Sequence, residues 1–528
     1  MKNTFVKVIS LILTLVFCLS VVACVKQPAN DDESSSDSST KGPEATVAPS
    51  DSDSESKTEE VTTSGTDNLP DLNYNGKTVT MLYWSDVEKV EFVPKNNAEW
   101  DMSDTVQKAL YSRNETVQSR LGITLEFEGT PGNTNNVDKF VTKAKADIAS
   151  ASPVYDLFAA YSRTGGSLAY NGCLVNLTGS KYIDMSKSYY PEKLHTNLKV
   201  GDALYFISGD ASVNSLYLMY TVYFNKNIAE ETFKIDPDTL YDAVKNKTWT
   251  VDKLIELTQN TYQNLDGDDN EGNTNDVDDQ YGFCTIYYGV DAFYTGAGFK
   301  LIESNGKGDT LLTVSPDYAS EAVINFTKKL SAWLTSEDTN VSMSSSNYRT
   351  PFVNGNALFC QERCYLAENY LLGKNGGEGV DFKYGVLPTP LLDEKQEDYI
   401  TCAGNPFTLY GISVGAKKKA ADTVDMLSAV IECWASESHR LTTPALFEVI
   451  MQLRYSQDSV DAEMFDICRK TLTSDLGRVF SEELSKMSEI WSKAACNGAN
   501  WARDGKVKTG LLAGTVKKMS KNFAALQG

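Results

Sequence analysis

An α/β fold built on a parallel sheet is predicted for the body of this chain by three observations. Strand-like and helix-like stretches alternate between residues 77 and 161. The composition, 41% hydrophobic, 10% aromatic and 23% charged, is that of an ordinary globular protein and excludes rods and wholesale disorder. The length of 528 residues gives room for two or more domains with proper cores.

The elements follow in order. Lys77-Thr78-Val79-Thr80-Met81-Leu82-Tyr83-Trp84 is β-rich and follows the turn pair Asn75-Gly76. Ser103 or Asp104 can cap a helix whose Val106, Ala109, Leu110, Val117 and Leu121 share one face, and Gly122 stops it. Ile123–Phe127 alternates as a strand, a second helix spans roughly Val137 to Ser150, and Val154–Ala160 reads as a third strand. Strand, helix, strand, helix, strand is the doubly wound pattern, whose ligands bind beyond the carboxyl ends of the strands. Further strands are expected at Leu204–Ile207, Leu216–Phe224, Ala357–Cys360 and Tyr384–Pro388, with a helix from Thr250 to about Tyr262. From Lys417 the chain reads as mainly helical, with Val424, Leu427, Ile431 and Trp434 on one stripe.

The first residues read as an address. Lys2 and Lys7 precede an apolar run over residues 8–17, which ends in Val21-Val22-Ala23-Cys24. Small residues followed at once by polar sequence mark a signal peptide over 1–23. A cysteine in that place resembles the bacterial lipobox, which implies a diacylated Cys24 at the mature N-terminus; the alternative is a plain secretory signal with an incidental cysteine. Residues 24–72 are expected to be a disordered tether, since Asp31–Ser39 and Asp51–Ser56 are acidic and Ser-rich and cannot offset their ordering entropy. The formal net charge of −22 argues against a nucleic-acid partner. Two histidines, His195 and His439, leave little material for zinc or His-based catalysis. Eight cysteines lie beyond Cys24 without CxxC spacing, and most are expected to be reduced core residues.

Several stretches resemble extracellular solute-binding lipoproteins of the carbohydrate ABC-transporter type, the maltose-binding-protein-like family 1, as found in Gram-positive clostridia. They are the lipobox, Leu72–Thr80, Tyr223-Phe224-Asn225-Lys226-Asn227, Trp249–Leu254, Asp278–Phe283, Asn354–Phe359, Tyr384–Pro388 and Thr443–Glu448. The resemblance implies a two-lobed, type II periplasmic-binding-protein-like fold, each lobe a mixed sheet flanked by helices and joined by hinge strands. It implies a first lobe from 73–216 and 406–445, and a second from 217–405 and 446–528. Chain crossings fall near Leu216–Thr221 and Thr401–Tyr410. The implied function is that of the binding component of an ABC importer. It would be a monomer on the outer face of the membrane, delivering an oligosaccharide or other small neutral solute to a permease, with no required cofactor and no catalytic residue. Two alternatives stay open: a secreted glycan hydrolase, for which no motif places a carboxylate pair, and a module presenting ligand to a sensor.

A sugar site needs flat aromatics and planar polar groups. Candidates after the strands of the first lobe are Trp84, Ser85, Asp86, Tyr161, Ser162 and Arg163; relatives often have an acid where Ser162 stands. In the second lobe they are Tyr287, Tyr288, Glu362 and Arg363, with Tyr217 and Asn405 at the crossings. Asn264–Asp276 resembles a calcium loop, with Asp266, Asp268, Asn270 and Asp276 as ligands of one structural Ca²⁺. Counted from Asp266, however, positions 6 and 12 are Glu271 and Val277, so a plain solvated loop remains the favoured reading.

Overall fold

The structure is a computed structural model that describes residues 66–267, 276–304, 310–344, 346–372, 379–451 and 459–527. Segment 1–23, Cys24 and most of the tether lie outside these residues, as do Asp268 and Asn270. No described helix is long and apolar enough to cross a membrane.

The first lobe starts with β1 (Lys77–Trp84), α1 (Thr105–Leu121), β2 (Ile123–Thr130), α2 (Val137–Ala149), β3 (Leu157–Tyr161) and α3 (Ser162–Tyr170). Helix α1 begins where the Asp104 carboxylate accepts the backbone N–H groups of Val106 and Gln107, a cap worth about 1 kcal/mol. It ends at Gly122, whose φ of 58° is the left-handed conformation that closes a helix. The face of Val106, Leu110, Val117 and Leu121 is buried. β1 pairs in parallel with β2 and β3, so Trp84 lies beside Thr130 and Met81 beside Leu157. β3 starts later than expected because Val154 and Tyr155 give their N–H groups to Asp147 instead of to a neighbouring strand.

Residues 66–72 belong to the body and not to the tether. Asp67 takes two hydrogen bonds from Arg120, each 2.8 Å, and Leu69 and Leu72 pack on the core. Composition hides this docking, because a single ion pair and two leucines order a segment that reads as polar spacer.

The next stretch corrects two strands. Leu204–Ile207 contributes only an isolated bridge between Ile207 and Tyr410. Leu216 and Tyr217 belong to a short helix, α4 (Val213–Tyr217), since Ser212 caps it by accepting the N–H of Ser215; capping chemistry overrides aromatic β-propensity. The second sheet uses β4 (Tyr220–Asn225), β5 (Tyr281–Ile286), β6 (Thr339–Ser342), β7 (Ala357–Arg363) and β8 (Tyr384–Pro388), in the spatial order β8-β4-β7-β5-β6. β5 runs parallel to β6 and β7, while β4 is antiparallel to β7 and β8. The helix after Thr250 spans only Val251–Leu257, because the Thr258 hydroxyl bonds back to Leu254 O and Asn260 turns the chain at φ 57°.

A short strand β9 (Thr401–Cys402) leads to β10 (Thr408–Ile412), which joins the first sheet antiparallel to β3 and gives the order β10-β3-β1-β2. Met219 bridges Ala403, so the two passages between the sheets run side by side. Helix α5 (Thr423–Glu437) buries Leu427, Ile431 and Trp434. Helix α6 (Ser459–Lys470) packs on β8, and β11 (Leu472–Thr473) pairs with β9. The last helix, α7 (Trp501–Gln527), touches both lobes. Trp501 donates to Tyr318 O at one end, while Asn522 donates to Tyr170 O and Gln527 to Val200 O at the other. The eight body cysteines are buried and unpaired.

Candidate functional site

Parallel strands bring their carboxyl ends to one edge of each sheet, the edge where open α/β sheets hold ligands. The two lobes treat that edge differently.

In the first lobe the candidates are built into the scaffold. Trp84 is 1% exposed; its indole N–H donates to Thr408 Oγ1 at 2.8 Å and its ring packs 5.5 Å from Tyr161. Neither ring offers a face to a ligand. Ser85 is half-buried and its N–H continues the ladder to Thr130 O. Asp86 accepts the N–H groups of Gly132 and Asn133, holding the turn that starts α2. Ser162 donates to Asn405 O. Asn405 in turn accepts two bonds from the Arg478 guanidinium, at 3.2 and 3.0 Å. Arg163 pairs with Glu489 at 3.0 Å and Glu482 at 3.6 Å, both in the segment after β11 that packs on α3.

The second lobe presents an aromatic and cationic face. Glu362 ends β7 at 1% exposure; one oxygen accepts Arg363 N (2.7 Å) and Nε (2.9 Å), the other Tyr365 OH (3.0 Å). Arg349 approaches the same carboxylate at 3.5 Å. With its charge so fixed, the Arg363 guanidinium lies 4.6 Å from the Tyr365 ring centre and 5.6 Å from that of Tyr288, distances of cation–π contact. Burial disfavours its charge, but Glu362 and the phenols of Tyr220, Tyr365 and Tyr288 outweigh burial and hold Arg363 well above its ordinary pKa. Arg349 sits 4.5 Å from Tyr370. Tyr287 and Tyr288 meet edge to face at 5.4 Å, and Lys493 covers Tyr287 at 4.9 Å. Tyr287, Tyr288, Arg363, Tyr365 and Tyr370 are half-buried, with part of each side chain open to solvent. Burial pushes the Tyr288 and Tyr365 phenols up, so both are neutral donors at physiological pH.

Tyr217 lies between the lobes, donating to Asn369 Oδ1 at 3.2 Å with its ring 6.2 Å from Tyr365. Beside it Lys89, from the loop after β1, pairs with Glu368, from the helix after β7, at 2.6 Å. Lys89–Glu368 thus joins segments that follow strands of opposite sheets, whereas Arg163–Glu489 ties α3 to the segment after β11. The choice of residues from sequence missed Lys89, Arg349, Glu368 and Tyr370, and took Glu362 and Arg363 from the stretch Glu362-Arg363-Cys364-Tyr365 without Tyr365. Tyr365 lies three residues beyond Glu362, just past the end of β7, and nearness in sequence signals it; Arg349 comes from a 3₁₀ turn (Ser346–Arg349) and Lys89 from a loop, and no local pattern signals their meeting.

In the acidic loop, Asp266, Asp276 and Asp279 each place a carboxylate oxygen within 4.8 Å of the others. Asp279, not among the sequence candidates, also accepts Tyr262 OH and Leu265 N. A cavity of about 410 Å³ lies apart from the tyrosine face, lined by Lys193, Asn197, Lys300, Thr473 and Asp475 among others beside the β9–β11 pair.

No family model matches the chain, and no curated protein matches it. Among solved structures it is similar to the uncharacterized protein lmo0859 from Listeria monocytogenes EGD-e, at 12% identity and TM-score 0.54, over 83% of this chain and 100% of that one. It is also similar to UspC of M. tuberculosis, at 12% identity and TM-score 0.50, with the same coverages. A third similar structure is the maltose-binding periplasmic protein MalE from Listeria monocytogenes in complex with maltose, at 13% identity and TM-score 0.49, over 84% and 98%. The first two carry the likeness of fold, a two-lobed α/β architecture over most of the chain; identities this low carry nothing about ligand.

Proposed function

We propose that the protein is the solute-binding component of an ABC importer, anchored outside the membrane through a lipid on Cys24, and that it holds a neutral oligosaccharide between its lobes. The observation that carries this reading is the face of Tyr288, Tyr365 and Tyr370 set around Arg363 and Arg349. Sugar rings have apolar faces that suit tyrosines and hydroxyl rims that suit guanidinium and phenol groups. The Lys89–Glu368 pair joins segments from the two sheets and is a contact that opening of the cleft would break, as ligand-driven closure requires. The carboxylates beside the tyrosines are committed to cations, which favours holding a glycan over hydrolysing it. The net charge of −22 opposes polyanionic sugars.

The reading is tested by calorimetry against a panel of neutral oligosaccharides, with scattering on the same samples. Heat of binding, unchanged sugar and a smaller radius of gyration are expected. New reducing ends, or binding of peptides and amino acids alone, would overturn it. The proposal includes one Ca²⁺ at Asp266, Asp276 and Asp279, oxygen ligands of the kind calcium takes. Calcium should raise the melting temperature and EDTA lower it; no shift with either removes the ion from the reading.

A further inference from the structure

The last helix carries a charge opposite to that of the molecule. Between Trp501 and Gln527 stand Arg503, Lys506, Lys508, Lys517, Lys518 and Lys521 against the single acid Asp504, a net of +5 in a chain of net −22. The buried stripe of α7 is Trp501, Gly505, Leu512, Val516, Met519 and Phe523. At 100° per residue, Arg503, Val507, Gly510, Gly514, Lys517, Lys518 and Lys521 fall on the opposite side, and all of them are exposed. Asp504 pairs with Arg503. None of the five lysines has an ion-pair or hydrogen-bond partner among the described residues, unlike Lys143 with Glu128 or Lys329 with Asp252. Val507 and Leu511, one turn apart, are 57% and 58% exposed. A Cβ on Gly510 or Gly514 would meet nothing within 4 Å, so the face is smooth between its cations.

We propose that this face of α7 is a docking surface for an anionic phospholipid bilayer, and that it sets which side of the body rests on the membrane. Charge complementarity carries the assignment. Lys517, Lys518 and Lys521 are exposed on an acidic body and have no ion pair among the described residues, so they suit a negative surface, and each lysine close to an anionic leaflet contributes a favourable increment. Val507 and Leu511 are of a size to enter the headgroup region between the lysines. The acidic remainder is not an obstacle, because repulsion is screened beyond about 8 Å at physiological ionic strength and only the near face counts. This contact is separate from a lipid on Cys24: an acyl chain sets proximity, whereas a helix face sets orientation. Because α7 touches both lobes, its docking would present the same flank of each lobe to the bilayer.

The test is co-sedimentation of the full chain carrying Cys24→Ala with phosphatidylglycerol-containing vesicles and with pure phosphatidylcholine vesicles. The same chain with Lys517→Glu, Lys518→Glu and Lys521→Glu is run beside it. Both chains share the N-terminal segment, so the difference between them reads the helix. The preference for phosphatidylglycerol should fall about 100-fold in the triple variant, from about fivefold per lysine, with an unchanged melting temperature. If the triple Glu variant melts early, Lys517→Gln, Lys518→Gln and Lys521→Gln takes its place with the same expectation. Equal partitioning of variant and parent overturns the proposal. So does loss of binding to a soluble anionic polymer such as polyphosphate with vesicle binding intact, which would assign the face to a wall polyanion instead.

Discussion

The two sheets meet the cleft with the same topological feature, the carboxyl ends of parallel strands, and use it for opposite purposes. In the first lobe β1 and β3 end in Trp84 and Tyr161, which turn inward, pack on each other and tie to Thr408 of β10. In the second, β5 and β7 are followed by Tyr287, Tyr288 and Tyr365, which stay partly open around an arginine that Glu362 fixes. The buried acids differ likewise. Glu362 sits between two guanidinium groups, whereas Glu483, under α3 of the first lobe, has the Ser167 hydroxyl as its side-chain donor. One lobe therefore closes its strand ends into a packed wall, and the other leaves an aromatic and cationic face partly open to solvent. A strand end tells where a ligand can sit, and the partners of the side chain there tell whether it meets one.

The largest expected effect separates wall from surface. Trp84→Ala should cost about 3–5 kcal/mol of folding stability, the usual cost of emptying a large aromatic site, read as a lower midpoint in chemical denaturation. Glycan affinity of the folded fraction should stay within about twofold. A variant that keeps its stability and loses binding would break the contrast, because Trp84 would then be a ligand residue after all.

Sequence reasoning located the strand ends but not which side chains there are closed off by packing, and the reason is physical. Periodicity and caps place β1, α1, β2 and α2 closely, since Asp104 and Gly122 act on neighbours within one turn. The same signals locate Trp84 and Tyr288 at strand ends, but local sequence is blind to the partner 324 residues away that takes the Trp84 indole N–H. Arg349 joins Tyr365 and Tyr370 by tertiary folding alone. Leu216–Tyr217 failed for the converse reason: a serine cap four residues upstream outweighed an aromatic run. The assignment of 446–528 to one lobe missed that α7 is long enough to reach both.

The second effect sharpens the contrast between the buried acids. Burial, first of all, and then the nearby charges of Glu482 and Asp138 push the Glu483 carboxyl up from 4.5 to about 7. The native state therefore binds more protons than the unfolded chain between these values. The stability this group contributes is full below about pH 4.5 and is lost as pH rises through about 7. Glu483→Gln, which cannot ionise, should stabilise the protein by about 2 kcal/mol at pH 8 relative to its effect at pH 5. Melting both proteins at the two pH values checks it; an equal difference at both would mean that Glu483 finds a cation or water in solution.

The smallest effect bears directly on the tyrosine face of the second lobe. Tyr288 and Tyr365 flank Arg363 at 5.6 and 4.6 Å, so each ring packs near the guanidinium while staying partly exposed. Replacing either by Ala should remove a stacking contact worth about 1 kcal/mol or more, weakening a bound neutral glycan by about tenfold. The folding cost should be smaller than for Trp84, because both rings are already partly hydrated. Phe at either position separates stacking from hydrogen bonding. Tyr288→Phe should retain most of the affinity. Tyr365→Phe should lose part of it, because the Tyr365 hydroxyl donates to Glu362 and without it the carboxylate that positions Arg363 is less firmly held. If all four variants bind a confirmed sugar as the parent does, the site lies elsewhere between the lobes. If Tyr365→Phe falls as far as Tyr365→Ala, the hydroxyl and not the ring is what the second lobe contributes there, and the surface recognises its ligand by polar contacts more than by stacking.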